Sequence, residues 1–417
     1  MPRVMSATAT EEVTGRALKK QLRQAERLKK IKALALVLPL VIFLLLVFVQ
    51  PISTMLARSV DNSELMEVMP QTAAAISDWT GEGLPSEAVM AAFAEELQTS
   101  RRGGGLGRVG RRLNYEDPGF RGLLMRTLRR LPDEPAAAWQ TVLPELDPAW
   151  GETSTWQAIQ RAASPTTDRY WLAAVDRERS SSGEVQPVAE EQQVYLSVFE
   201  RTLVIAGSVT LLCLLLGFPL AYLLATLPTG TSNLLMIFVL LPFWTSLLVR
   251  TASWIVLLQT GGVINGGLMG LGLIDEPLQL VFNRFGVLVA MVHILLPFMI
   301  LPLYSVMKGI SPSYQRAAIS LGCHPFAAFW KVYVPQTISG VAAGTLLVFI
   351  MALGYYITPA LVGGASDQMV SYYVAYYTNT TNNWGMAAAL GSLLLVVTLV
   401  LYLVYHRLVN QQQLARS

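Results

Sequence analysis

Residues 316–335 read RAAISLGCHPFAAFWKVYVP. Ser311, just before this stretch, is a good helix N-cap, and Pro312 suits the first helical position. Gly322 offers a left-handed stop, and Pro325 can open a second short helix after His324. Lys308, Arg316 and Lys331 make the segment basic, and no Asp or Glu occurs from 304 to 336. Long apolar runs flank it on both sides. The reading is a compact, basic helix–turn–helix held between two membrane spans, which offers a docking surface.

Working outward, six runs are apolar and long enough to span a bilayer, which takes about 20 residues. They are residues 33–49, 202–227, 234–258, 287–303, 338–361 and 387–405. None alternates in polarity as a membrane barrel strand would. The chain is 53% hydrophobic and 14% charged, with mean hydropathy +0.44. Those values exclude a disordered chain and argue against a simple soluble enzyme. The expected fold class is an all-α polytopic membrane protein with six transmembrane helices and a helical insertion after the first.

Charge predicts the orientation. The first 32 residues carry nine Lys and Arg against Glu11, Glu12 and Glu26, so this end is expected in the cytoplasm. Six spans return the C-terminus, with His406, Arg407 and Arg416, to the same side. Residues 259–286 and 362–386 are then outside, and the basic loop is inside. All seven lysines fall on the cytoplasmic side of this topology. The first span has no small-x-small cleavage pattern close behind it and reads as an uncleaved anchor. Cys213 and Cys323 are not expected to pair.

The expected organisation is a basic cytoplasmic segment over 1–32, the first span over 33–56, an outside insertion over 57–194, a five-helix core over 195–406 and a cytoplasmic tail over 407–417. The loop 308–335 belongs to that core. Residues 11–32 have a helical pattern that suits either an interfacial helix on anionic lipid or a plain extension that sets orientation. Helical patterns recur in the insertion at 85–97, 117–131, 135–146 and 155–163. Residues 101–112, RRGGGLGRVGRR, hold glycines beside arginines. No strand precedes them and no Gly-Lys-Ser/Thr follows, so they read as a flexible, solvated connection. His293, His324 and His406 lie far apart, without metal-ligand spacing, and no catalytic arrangement of residues is evident. Nucleic-acid binding is disfavoured, because the basic residues lie where membrane topology requires them.

The basic loop resembles the coupling motif of ABC importer permeases: Glu-Ala-Ala, three residues, Gly, nine residues, then Ile-x-Leu-Pro. Ala317, Ala318, Gly322, Val332, Val334 and Pro335 stand at the matching positions. Arg316 stands where the family has Glu, which reverses the sign at that corner. Residues 241–246 (LPFWTS), with Leu248, Val249, Arg250 and Trp254, are similar to the third-span signature of the spermidine/putrescine permease branch. Residues 262–265 (GVIN) and 358–364 (TPALVGG) are similar to it too. The likeness runs from about residue 203 to 405.

The resemblance implies an inner-membrane permease subunit, multi-pass, that is not itself an enzyme. It implies a second permease as partner, two cytoplasmic ATPase subunits on the coupling loops and a periplasmic binding protein. ATP would be bound by those partners; this chain has no Gly-x-x-x-x-Gly-Lys-Ser/Thr run and implies no cofactor or metal of its own. The implied solute is a polyamine such as putrescine or spermidine, with an opine or other amino-acid-derived solute as the alternative. Tyr355 stands where that branch has an acid, and no Asp or Glu lies centrally in any span. Trp244, Thr245, Trp254, Tyr355 and Tyr356 are therefore candidate path residues, the aromatic ones through cation–π attraction or else as interfacial anchors. Arg250 lies roughly 24 Å along a straight helix counted from residue 234, which leaves both interfacial snorkelling and a gate open. A secondary transporter or channel is the rival reading; it predicts intramembrane ionisable residues or inverted repeats, and only Arg250 answers to that.

Overall fold

The computed structural model describes residues 26–27, 29–103, 105–132, 138–180 and 184–414. Most of the helical pattern at 11–32, the start of that at 135–146 and the tail beyond 414 lie outside those residues. The chain divides into two compact units, Met1–Ala57 and Arg58–Ser417. In the first, Lys29–Ala57 is long and apolar enough to span a membrane, with a π-helical segment at Leu45–Val49.

The second unit contains the insertion and the bundle. The insertion is a stack of short helices: Glu64–Val68, Pro70–Ser77, Glu87–Gly103, Leu106–Glu116, Phe120–Arg130, Trp139–Leu146, Thr153–Ala162 and Arg169–Ala174. Its centre is aromatic. Phe93 lies 4.8 Å from Trp150 and 5.5 Å from Trp156, ring to ring. Both indole nitrogens are satisfied, Trp150 by Thr127 Oγ1 at 2.7 Å and Trp156 by the Trp150 carbonyl at 2.9 Å. This is what allows tryptophan to be buried at no polar cost.

Residues 101–112, expected as a solvated connection, are instead largely helical. Leu106, Val109, Gly110 and Leu113 recur at helical spacing and all are buried. That periodicity outweighs the glycine-rich composition. Arg112 goes inward with them, 1% exposed. It bonds Glu116 at 2.8 Å and donates from Nε to Asn62 Oδ1 at 2.6 Å. Glu116 also holds Arg161 and Arg169, each at 3.0 Å.

A two-stranded antiparallel hairpin, Arg177–Arg179 with Val185–Pro187, follows. Asp176 precedes it with a left-handed φ of 55°. Its carboxylate accepts backbone N–H bonds from Val194, Tyr195 and Leu196 at 2.8–3.1 Å. These are orphan donors of the helix Tyr195–Thr226, so a residue of the insertion caps the second span. Tyr170 meets Gly385 so closely that any Cβ at 385 would overlap its ring. The insertion thus grips the outset of the last helix, Trp384–Leu414, as well.

The bundle is built on three helices: Tyr195–Thr226, Arg284–Lys308 and Ile338–Gly354. Small residues let them approach. A Cβ at Gly217 would lie 3.0 Å from Met299 Cγ, and one at Gly344 would lie 2.8 Å from Met299 Sδ and 3.2 Å from its carbonyl. A Cβ at Gly340 would lie 3.1 Å from the Pro302 carbonyl. Close backbone packing of this kind replaces the hydrophobic drive that lipid cannot supply.

Two of the apolar runs are broken into separate helices. The third divides into Thr229–Leu240, a 3-10 turn Leu241–Trp244 and the helix Leu247–Leu258, with extended backbone at Thr245 and Ser246. The fifth stops at Gly354, and a separate helix Ile357–Val362 follows. Pro242 and Pro359 lie at these breaks. Pro219, Pro297 and Pro302 lie inside unbroken helices, where neighbours compensate for the missing N–H. By length and composition, five described helices can cross a membrane, or six if Pro325–Gln336 and Ile338–Gly354, bent by 61°, count as one.

Two stability predictions follow from this packing. Gly344→Val should cost about 1–3 kcal/mol by overpacking against the Met299 backbone, lowering the thermal unfolding midpoint of the detergent-purified protein; an unchanged midpoint would disprove the close approach. Glu116→Ala leaves Arg112 buried without its carboxylate and should cost about 3–5 kcal/mol, read as faster proteolysis of the insertion. Burial pushes the Glu116 carboxyl up, but Arg169, Arg112 and Arg161 together outweigh it and hold the group below its ordinary 4.5. A depressed folded-state pKa stabilises fully above the unfolded value and is lost as pH falls through the folded one. The wild-type insertion should therefore loosen only as pH falls below the ordinary carboxylate range, and Glu116→Gln should remove that acid dependence.

Candidate functional site

The loop between the helices Arg284–Lys308 and Ile338–Gly354 folds as a helix–turn–helix. Ser311 Oγ accepts from Ser313 N at 3.3 Å, and the helix runs Ser313–Ser320, one residue later than the cap at Ser311 anticipates. Its end is a Schellman turn. Gly322 has φ +90°; its N–H donates to the Ile319 carbonyl at 2.9 Å, and Cys323 N donates to Ala318 at 3.0 Å. His324 then caps the next helix, Pro325–Ala328, by accepting at Nδ1 from Phe326 N at 3.3 Å. A π-helical segment, Phe329–Tyr333, and the short helix Val334–Gln336 lead back to the bundle.

One face of this loop is fastened to the bundle and the other is bare. Tyr222 of the second span lies 5.2 Å, ring to ring, from both Phe329 and Tyr333. Phe218 lies 6.5 Å from Phe329. On the bare face Leu321 is 88% and Phe326 69% exposed, with Tyr314, Ile319 and Trp330 exposed beside them. Arg316, Ala317 and Gly322 lie on the exposed side, whereas Ala318, Val332, Val334 and Pro335 are half-buried. The sequence motif therefore marks the turn and its supports. The exposed apolar side chains between its positions carry the larger surface; their signal was the run FAAFW, in which alternate turns of helix cannot all face the bundle.

The second group lies where the two broken runs meet. Thr251 of Leu247–Leu258 hydrogen-bonds Thr358 of Ile357–Val362, Oγ1 to Oγ1, at 3.3 Å. Trp254 Nε1 donates to His293 Nδ1 at 3.1 Å. Arg250 lies close enough to act electrostatically on His293 and Tyr355. Its Nε and Nη1 are buried and have no hydrogen-bond partner among the described residues. The structure thus joins Arg250, Trp254 and Tyr355. Trp244, 80% exposed, Thr245 and Tyr356 remain exposed at the two breaks. Counting along a straight helix does not locate Arg250, because the helix restarts at Leu247, three residues before it. His293 and the two threonines had no spacing in the sequence to connect them. Among the described residues no group of side chains could hold a metal ion.

The sequence profile of the binding-protein-dependent transport system inner membrane component family matches residues 214–412, a region that begins past the insertion. The spermidine/putrescine transport system permease protein PotB of Escherichia coli is 35% identical over 214 residues, covering 51% of this chain and 78% of that protein. PotB of Haemophilus influenzae is 34% identical, with 51% and 75% covered. The inner membrane ABC transporter permease protein YdcU of Escherichia coli is 33% identical, with 49% and 69% covered. Among solved structures, a bacterial ABC transporter involved in alginate import overlays loosely, with a TM-score of 0.44 at 19% identity over 54% of this chain and 80% of that one. The chain belongs to the binding-protein-dependent transport system inner membrane component family, as a multi-pass permease subunit of an ABC importer.

Proposed function

We propose that this chain forms one half of the membrane path of an ATP-driven importer of a small, amine-bearing organic solute. The observation that carries this reading is the loop 308–335, a rigid Schellman turn fastened by aromatic contacts on one face and bare and apolar on the other. Such a face suits a protein partner, here a cytoplasmic ATPase. A second, related permease completes the path, a second ATPase docks on its loop, and a periplasmic binding protein delivers the solute. Both termini are then cytoplasmic and the insertion faces the periplasm. ATP binds to the partners, and this chain hydrolyses nothing.

Polyamine is the first solute supported, because the two PotB relatives named above are spermidine/putrescine permeases and because Trp254, Tyr355 and Tyr356 offer aromatic faces to an ammonium. The amino-acid-derived alternative, an opine or similar solute, is favoured by one observation, the unpartnered guanidinium of Arg250. Both solutes carry an amine. The reading as a self-sufficient secondary transporter gains nothing from a bare docking face.

Co-purification in mild detergent tests the reading. Gly322→Pro cannot reach φ +90° and loses the N–H bonded to Ile319, so the ATPase retained by wild type should be released. Retention in that variant, or no ATPase with wild type, would count against coupling through this loop. Arg316 implies an acidic site on the partner ATPase; Arg316→Glu should then lower uptake severalfold at unchanged membrane levels, and improved uptake would show the reversed sign to be incidental.

A further inference from the structure

We propose that the cavity between the insertion and the start of the last span seats a phospholipid headgroup that carries both a phosphate and a primary ammonium. This goes beyond the importer reading and does not depend on which solute is carried.

The cavity has a volume of about 460 Å³, and Arg58, Arg108 and Arg111 line it together with Asp61, Glu64 and Trp384. Its depth follows from the chain. Arg58 directly follows the apolar helix Lys29–Ala57, and Trp384 is the first residue of the apolar span Trp384–Arg407. Residues at the margin of a spanning run lie at the level of lipid headgroups, where tryptophan concentrates. Arg58 lies over the ring of Trp384, 5.1 Å from its centre, so the cavity opens at that level.

The charges select the ligand. Arg108 is paired with Glu67 at 3.2 Å, whereas Arg58 and Arg111 have no ion pair among the described residues. Behind them Arg112, 1% exposed, lies close enough to act electrostatically on Glu64, Tyr115 and Tyr170, which all line the same cavity. Its Nη2 is buried with no hydrogen-bond partner among the described residues, and buried donors in folded chains are nearly always satisfied. An orphan donor of this kind, beside two guanidinium groups without carboxylates, suits an oxygen-rich anion. Arginine grips phosphate through paired N–H bonds.

A simple anion does not suit the rest of the lining, because Asp61 and Glu64 add two carboxylates. Burial pushes the Glu64 carboxyl above its ordinary 4.5, although Arg112, Arg111 and Arg108 pull it down. A carboxylate held in that state gains from an arriving cation. Phosphate and ammonium joined in one headgroup answer both signs, as in phosphatidylethanolamine. The mixture of signs sets this cavity apart from the purely basic surfaces that take anionic lipid.

The full-length protein, purified in mild detergent and stripped of native lipid, tests this. It is offered equal amounts of phosphatidylethanolamine, phosphatidylcholine and phosphatidylglycerol in mixed micelles, and the retained lipid is counted by mass spectrometry. Phosphatidylethanolamine should be retained about tenfold over the other two, because choline has no N–H for the carboxylates and glycerol has no positive charge. Arg111→Gln, at an exposed position, should lower that retention about tenfold with the lipid-free unfolding midpoint unchanged. Glu64→Gln should abolish the preference for ethanolamine over glycerol. If either variant fails to fold, the selectivity of wild type decides. Equal retention of the three lipids by wild type, preference for either of the others, or undiminished retention by a folded Arg111→Gln overturns the site. Soluble phosphoethanolamine distinguishes the source of the headgroup: it should leave the unfolding midpoint where it is while the lipid raises it, and an equal rise overturns the assignment to a lipid.

Discussion

Met299 lies where the second and fifth spans close on the fourth, and they can close only because each presents a glycine there. Gly217 and Gly344 leave room for the thioether and for the Met299 carbonyl, and Gly340 does the same one turn away beside Pro302. In lipid, association of helices depends on such close fit. The three-helix core that results positions both candidate sites. The loop 308–335 leaves the fourth helix and returns as the fifth. The Arg250 cluster forms between the first half of that fourth helix and the segments that pack against it.

The insertion is integral to this arrangement. Asp176 supplies the cap that Val194 cannot, closing the orphan N–H groups of the second span with a carboxylate from the preceding domain. Tyr170 fills the space left by Gly385 at the start of the last span. Arg58 lies over the ring of Trp384, 5.1 Å from its centre. The insertion has its own aromatic core, yet its last helix belongs to the bundle's packing, in a cluster with Val198, Phe199, Met386 and Leu390.

Local patterns were legible, and non-local ones were not. Apolar runs located the spans, and Gly322 announced its left-handed turn, because both depend on residues adjacent in sequence. The breaks were harder. Pro219, Pro242, Pro297, Pro302 and Pro359 all lie in or near spans, and which of them interrupts a helix depends on what neighbours supply in place of the lost N–H. The stretch at 101–112 misled for the same reason. Its composition resembles a linker, but Arg112 is buried by Asn62, fifty positions away, and by a carboxylate that also holds Arg161 and Arg169. The importance of Arg250 as a charge within an apolar run was plain from the sequence. Its neighbours His293 and Tyr355 became visible only once the broken helices met.

The second span is held at both ends by different machinery. Asp176 clasps its first turn, and Phe329 and Tyr333 of the loop clasp Tyr222 near its last. Between them runs one continuous helix of 32 residues, about 48 Å long at 1.5 Å per residue. It joins a contact with the insertion at one end to a contact with the loop at the other. A tilt of about 10° around its midpoint carries the two ends about 4 Å in opposite directions. Both contacts therefore sit on one helix, and neither can shift along it independently of the other.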